Sequence, residues 1–222
     1  MKIFLVFCLV IALSPFSAMA SSPASGVPSD GKISFDIFRS GKKLGTHSVA
    51  FNQEADTTRV KIKINMAYQL GPVTLFRYAH TNTEIWRHNK PVSLKSETND
   101  DGTPHFVEAA WQASTLKVKT DTQSFDTPSS VLATSYWNKD MLRAKKLLNS
   151  QTGELMPIRT EYKGRATMAI AGQTRDVDSY ILNKKGEDPI EVWYDTQTRE
   201  WVGLKFTARG AKIEYRRTDP IS

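Results

Sequence analysis

The chain has almost no cysteine, and its single one, Cys8, lies within an apolar stretch near the N-terminus. We expect that stretch to be removed, which would leave a mature chain without cysteine. A disulfide, a thiol nucleophile and a cysteine zinc site are then excluded. Cys8 also lies inside the apolar stretch and not at its end, which excludes its use as a lipid-attachment residue.

The N-terminal apolar stretch, Ile3–Leu13, is short. A bilayer-spanning helix needs about 20 apolar residues, so this stretch does not span a membrane. Lys2 precedes it, and residues 17–20 (SAMA) end in an Ala-x-Ala pattern. This order is typical of a Sec-type signal peptide cleaved after Ala20. Residues 1–20 therefore predict export to the periplasm, with no transmembrane segment in the mature chain.

The chain also lacks a run of basic residues. Its net charge is +7, but lysine and arginine alternate with other residues along the chain. Basic runs with interleaved aromatic side chains are typical of nucleic-acid binding, and none is present. We therefore expect solvated sheet faces and no nucleic-acid partner.

Recognisable catalytic motifs are absent as well: the sequence has no HExxH, Gly-x-Ser-x-Gly, Walker or Rossmann pattern. His80, Glu84 and His88 have the spacing of metal ligands on a helix. The segment reads as a strand, where four residues span about 13 Å, so the three side chains meet only if a turn falls at 81–83. We predict no metal, no cofactor and no catalytic residue.

Asp36 and His47 are a second candidate pair, for acid–base chemistry. In a hairpin that pairs Phe35 with Val49, Asp36 faces Ser48 and His47 lies on the apolar face. The hairpin therefore favours a core or rim histidine.

Most of the chain alternates apolar and polar residues, which is the period of half-buried strands. In the segment 60–68 (VKIKINMAY), Val60, Ile62 and Ile64 share one face, and Lys61 and Lys63 share the other. Further strands of this kind are predicted at 32–39, 45–54, 74–88, 91–98, 105–112, 115–120, 155–162, 165–171, 175–184, 189–194, 200–208 and 211–217. Residues 21–30 (SSPASGVPSD) predict a disordered spacer, and residues 31–222 predict a single β-rich domain.

Two hairpin registers follow from matching apolar residues across the C-terminal strands. A two-residue loop at 209–210 places Phe206 opposite Ile213. The preceding hairpin places Trp193 opposite Trp201.

One segment, residues 134–148, departs from the strand pattern and predicts a helix. Ser135 or Asn138 suits its N-cap, and Met141 and Leu142 lie near its apolar stripe.

The five tryptophans suggest where a ligand would bind. A large sheet twists and curls, and its concave face must be covered by the short helix and a crossover loop. If the cover is complete, the aromatic residues form a core. If it is incomplete, an apolar groove remains that suits a lipid or another apolar ligand.

Several segments resemble a family of small proteobacterial periplasmic proteins known only as a domain of unknown function. The resemblance covers about residues 31–217. The segments that carry it are 134–138 (TSYWN), 148–153 (LNSQTG), 192–195 (VWYD), 202–206 (VGLKF) and 213–215 (IEY).

More distantly, the chain resembles the lipoprotein carriers of the Lol pathway, which wrap a half-open antiparallel barrel around a short helix and hold acyl chains. That resemblance implies that Tyr136, Trp137, Met141 and Leu142 line or plug a cavity. Trp111 is a further candidate for ligand contact.

We therefore predict a mainly β protein, an antiparallel curled sheet or half-open barrel with one packed helix. The leading functional hypothesis is a non-enzymatic binding or carrier protein for an apolar or amphipathic envelope ligand. One alternative is an interaction protein that docks a protein partner during envelope assembly. The other is an enzyme that acts on envelope glycans or lipids.

Overall fold

The computed structural model describes residues 26–208 and 210–222. The predicted signal peptide and residues 21–25 of the predicted spacer lie outside the described residues. Within the rest of that spacer, Gly26 and Pro28 are buried and Val27 packs against the main core. This part of the predicted spacer therefore belongs to the packed structure.

The secondary structure is almost entirely β. In chain order, the strands are β1 (Lys32–Arg39), β2 (Lys42–Glu54), β3 (Thr57–Leu70), β4 (Val73–Arg87), β5 (Lys90–Asp100), β6 (Thr103–Gln112), β7 (Thr115–Thr120), β8 (Ser124–Pro128), β9 (Leu132–Ala133), β10 (Lys146–Leu148), β11 (Leu155–Ile170), β12 (Gln173–Lys184), β13 (Ile190–Asp195), β14 (Trp201–Ala208) and β15 (Ala211–Arg217). The strands predicted from alternation are confirmed, because each coincides with one of these elements to within a residue or so at its ends.

All the strands belong to one curled sheet in the order β8-β7-β6-β5-β4-β3-β2-β1-β15-β14-β13-β12-β11-β10-β9. Neighbouring strands are antiparallel except β9 and β10, which are parallel. The predicted curled antiparallel sheet is thereby confirmed. A sheet of this many strands curls under its own twist, which gives it an inner and an outer face.

The two ends of the sheet meet through side chains. Leu94, Val107 and Leu116 from one end pack with Val131 and Leu148 from the other. We call this contact the seam.

Two hydrogen bonds also cross the seam. The indole Nε1 of Trp111 donates to the carbonyl of Val131 at 2.9 Å. Ser96 Oγ donates to the carbonyl of Ser150 at 2.5 Å. The sheet thus encloses an interior although its end strands are not joined by a β-ladder.

The N-terminal hairpin register differs from the prediction by two residues. Phe35 lies opposite His47, and Asp36 lies opposite Thr46. A shift of two keeps every side chain on its predicted face, because side chains alternate with a period of two. His47 is accordingly on the inner face, as expected, but beside different neighbours.

The C-terminal registers give one confirmation and one correction. Phe206 pairs with Ile213 as predicted. Trp193 pairs with Gly203 and not with Trp201, because an irregularity after Trp193 shifts the β13–β14 ladder.

The predicted helix over 134–148 is wrong in extent. The structure has a five-residue 3₁₀-helix at Lys139–Arg143, capped by the Asn138 side chain. The chain is extended again at Ala144, and residues 146–148 form β10, which pairs with β11 and β9. Helix propensity is a weak preference, and here the strand pairing overrides it.

Candidate functional site

The curled sheet encloses a cavity of about 410 Å³. This volume lies within the range of about 300–1,000 Å³ that is usual for small-molecule sites. Most of the wall is aliphatic, and the side chains come from both halves of the sheet. The aliphatic wall residues are Val49, Ile62, Ile64, Leu147, Met156, Ile158, Leu182, Ile190 and Leu204.

A row of inward positions carries polar groups into this apolar wall. On β2, β3 and β4, His47 lies opposite Ile64, and Ile64 lies opposite His80. Tyr78 precedes His80 by two residues on β4 and therefore shares its face. All three polar residues line the cavity, and we call His47, Tyr78 and His80 the polar row.

His47 is fully enclosed and lacks a hydrogen bond. Its residue exposure is 5%, and neither ring nitrogen has a hydrogen-bond partner. Aromatic rings surround it, with ring-centre distances of 6.0 Å to Phe35, 5.2 Å to Trp201 and 5.7 Å to Tyr215. Burial, with a smaller contribution from His80, lowers the pKa of His47 to about 3, so its imidazole is neutral at neutral pH.

The other two members of the polar row differ in their partners. The Oη of Tyr78 is buried without a hydrogen-bond partner. Nδ1 of His80 lies 2.8 Å from Thr98 Oγ1 on the neighbouring strand β5. Burial lowers the pKa of His80 to about 4 and raises that of Tyr78 above its usual range.

Beyond the polar row, the same strand enters a packed region around Glu84. The Glu84 carboxyl accepts hydrogen bonds from Asn82 Nδ2 at 2.9 Å, Trp86 Nε1 at 2.8 Å and Trp137 Nε1 at 3.3 Å. Ser135 Oγ is a fourth donor. We call these five residues the Glu84 cluster.

The Glu84 cluster holds the loop after β9 against β4. Burial raises the pKa of Glu84, while its four side-chain hydrogen bonds favour the ionised form and oppose that shift. Trp137 is also fixed by edge contacts with Trp86, at 5.1 Å between ring centres, and with Phe51, at 5.3 Å. This region is therefore packed by protein groups alone.

The cavity opens where exposed, charged residues join its lining. Glu154, Glu187 and Asp188 are exposed and line the cavity together with Lys184. Lys184 Nζ pairs with Glu154 at 3.3 Å and with Glu187 at 2.5 Å. Three carboxylates and one ammonium make this mouth net acidic.

At another side, the cavity adjoins an apolar groove of about 390 Å³. Met66, Tyr78 and Phe206 line both the cavity and the groove. Tyr78 thus lies between the two spaces.

The structure places two of the five predicted ligand residues at the cavity, Tyr136 and Trp137. Met141 and Leu142 are buried in the main core and, within the described part of the chain, do not appear in the cavity wall. Trp111 packs at the seam. The five predicted residues therefore do not form one site.

The polar row was not predicted as a site, and His47 was interpreted as a core or rim histidine. The available signal was parity: His47 shares a face with Val49 on β2, and His80 shares one with Trp86 on β4. A polar residue at an inward strand position is more informative than another apolar one.

Glu84 and His80 are both inside the sheet. His88 is an exposed residue that pairs with Asp56 at 3.2 Å. Across residues 26–208 and 210–222, no group of three or more His, Cys, Asp or Glu side chains is arranged to hold a metal ion. The same residues contain no helix with the length and hydropathy needed to cross a membrane.

Comparison with solved structures agrees with the fold. The chain is similar to the crystal structure of a β-barrel-like protein of domain of unknown function DUF1849 from Brucella abortus. The TM-score is 0.62 at 8% sequence identity, and the match covers 86% of this chain and 97% of that chain. At this identity, the likeness concerns the fold alone.

Among curated proteins, no sequence matches this chain. Residues 35–218 match the family described as Domain of unknown function (DUF6134), which spans most of the curled sheet from β1 to the end of β15. The chain therefore belongs to the DUF6134 family.

Proposed function

We propose that this protein binds a small apolar or amphipathic molecule inside its curled sheet. The observation that carries the proposal is the cavity of about 410 Å³, whose aliphatic wall is interrupted by buried polar groups without partners. Binding sites for small molecules commonly combine an apolar wall with a few polar groups that orient the ligand.

The contrast with the Glu84 cluster supports this assignment. Buried polar groups in proteins are normally hydrogen-bonded, and the donors around Glu84 follow that rule. His47 and Tyr78 do not follow it, although they lie on the same inner surface. A bound molecule would supply the missing partners.

The direct test is native mass spectrometry of the mature protein after gentle purification, followed by extraction and lipid analysis. We expect a reproducible adduct whose mass matches an extractable amphipathic molecule. A protein that carries no adduct and binds no alkyl-chain compound would contradict the proposal.

A chain-length series supplies a quantitative test. Each buried methylene contributes about 0.8 kcal/mol, so alkyl ligands that fit the cavity should bind about fourfold more tightly for each added methylene. We expect the gain to stop once the chain fills the cavity. Affinity that does not change with chain length would show that the apolar wall is not used.

We further propose that the protein works in the periplasm, on the strength of the signal-peptide pattern at residues 1–20. Cell fractionation and the mass of the purified chain test this. The expected result is a periplasmic protein whose chain starts at Ser21. A full-length chain in the cytoplasmic fraction would contradict it. The docking and enzymatic alternatives stay predictions.

A further inference from the structure

His47 offers the cavity a hydrogen-bonding requirement that the protein does not meet. A neutral imidazole has one N–H donor and one acceptor nitrogen. The aromatic rings around His47 can receive an N–H at their faces, but a ring face cannot donate to the acceptor nitrogen. The Nε1–H of nearby Trp201 is already donated to the carbonyl of Gly203 at 2.9 Å. The acceptor nitrogen of His47 therefore lacks a donor.

Tyr78 adds a second unmet group on the same wall. It is 7% exposed, its Oη has no partner, and it lines the cavity within the polar row. A phenol hydroxyl can both donate and accept. Together, His47 and Tyr78 offer donor and acceptor capacity without a formal charge.

The acidic mouth adds a condition on ligand charge. Glu154, Glu187 and Asp188 outnumber Lys184 there, and Lys184 is already paired with two of them. An anionic head group would be repelled at the mouth and would find no counter-charge in the polar row. Like charges in a site of reduced dielectric are unfavourable, so the mouth disfavours carboxylates.

Building on the proposed function, we propose that the ligand carries an uncharged hydroxyl or amide head group, which donates to His47 and accepts from the Tyr78 hydroxyl. The alkyl part of the ligand lies along the aliphatic wall. The cavity thus selects uncharged amphiphiles over fatty acids of the same chain length.

The test compares monolauroyl glycerol with lauric acid, which carry matched alkyl chains. Affinities are measured by calorimetric titration of the protein at about pH 8, where the carboxylic acid is ionised. We expect monolauroyl glycerol to bind at least about tenfold more tightly, which corresponds to one or two hydrogen bonds. Laurate that binds as tightly as monolauroyl glycerol would overturn the inference.

Two variants assign the head-group contacts. Tyr78→Phe and His47→Phe should each weaken monolauroyl glycerol binding about fivefold to tenfold and leave laurate binding unchanged. A merely structural role predicts no change in affinity, because each substitution removes a polar group that has no partner in the protein. Unchanged monolauroyl glycerol affinity in both variants would overturn the assignment.

The variants also distinguish a folding defect from a binding defect. Tyr78→Phe removes only an oxygen, so its thermal unfolding without ligand should match or exceed that of the unmodified protein. If neither compound binds even the unmodified protein, the proposed function fails and this inference fails with it. If both bind equally, only the head-group inference fails.

Discussion

Strand β4 passes through two interior regions that treat buried polar groups differently. Around Glu84, each carboxyl oxygen faces two donors, and the loop carrying Ser135 and Trp137 closes over it. A few residues earlier, Tyr78 lines a cavity with its hydroxyl unpartnered. One strand thus supplies both a packed region and an open one. The difference teaches that the partners of a buried polar group, and not its burial alone, separate structure from a candidate binding site.

Glu84→Leu should produce the largest effect on stability. It leaves two indole N–H groups, one amide and one hydroxyl buried without their acceptor, and each unsatisfied group costs about 1–3 kcal/mol. We expect a loss of about 5 kcal/mol in the free energy of unfolding, measured by urea denaturation with circular dichroism.

Glu84→Gln is the matched variant for that prediction. Its carbonyl can accept from the two indoles, while its amide can donate to Ser135 and to an Asn82 amide rotated by half a turn. We expect a loss below about 1 kcal/mol. Equal losses in the two variants would show that the hydrogen bonds are not what stabilises this region.

Acid should expose the buried histidines of the open region. Histidine in the unfolded chain binds a proton near pH 6.5, whereas folded His47 has a pKa of about 3 and binds one only in stronger acid. Stability from the neutral ring is therefore present above the unfolded pKa and is lost as pH falls towards the folded one.

For His47, the loss between about pH 7 and about pH 4 is about 3 kcal/mol. The pH dependence of unfolding should be flatter by this amount in His47→Phe. His88→Ala, at a position where the side chain is 74% exposed, is the control and should keep the original pH dependence. An equally steep acid dependence in His47→Phe would contradict the burial of this ring.

The seam tests a polar group that does have a partner, outside the Glu84 cluster. Trp111→Phe removes the Nε1 bond to the Val131 carbonyl and part of the ring. We expect a loss of about 1 kcal/mol by urea denaturation. Removing Lys95 from its exposed pair with Glu108 is the control, and it should change stability by less than about 0.5 kcal/mol.

Tyr78→Phe should have the smallest effect, and its sign distinguishes the two regions. Because the hydroxyl has no partner, its removal should leave stability unchanged or raise it by up to about 1 kcal/mol. Thermal unfolding without ligand measures this change. A loss of more than about 1 kcal/mol would mean that the hydroxyl is used by the protein, and the comparison between the two regions would break.

Much of the fold could be predicted from the sequence, because alternation is a local property. The strand faces of 60–68 were correct, and so was the pairing of Phe206 with Ile213. The register around Phe35 was wrong by two residues because a shift of two preserves the apolar face, so the pattern could not distinguish the alternatives.

The candidate site was predicted less well. Tyr136 and Trp137 were placed at the cavity, but Met141 and Leu142 were assigned to a longer helix that the strand pairing of 146–148 prevents. The two ends of the sheet are far apart in sequence, and only their contact encloses a space. No local pattern reports such a contact.

The sequence by itself determined which side chains face inward, since the period of two follows from the geometry of a strand. It thereby assigned His47 to the apolar face. Only the tertiary structure decided which inward polar groups are satisfied. Glu84 receives donors from a loop about fifty residues away along the chain, whereas His47 receives none. Hydrogen bonding depends on which groups lie within bonding distance, and that is set by how the sheet curls.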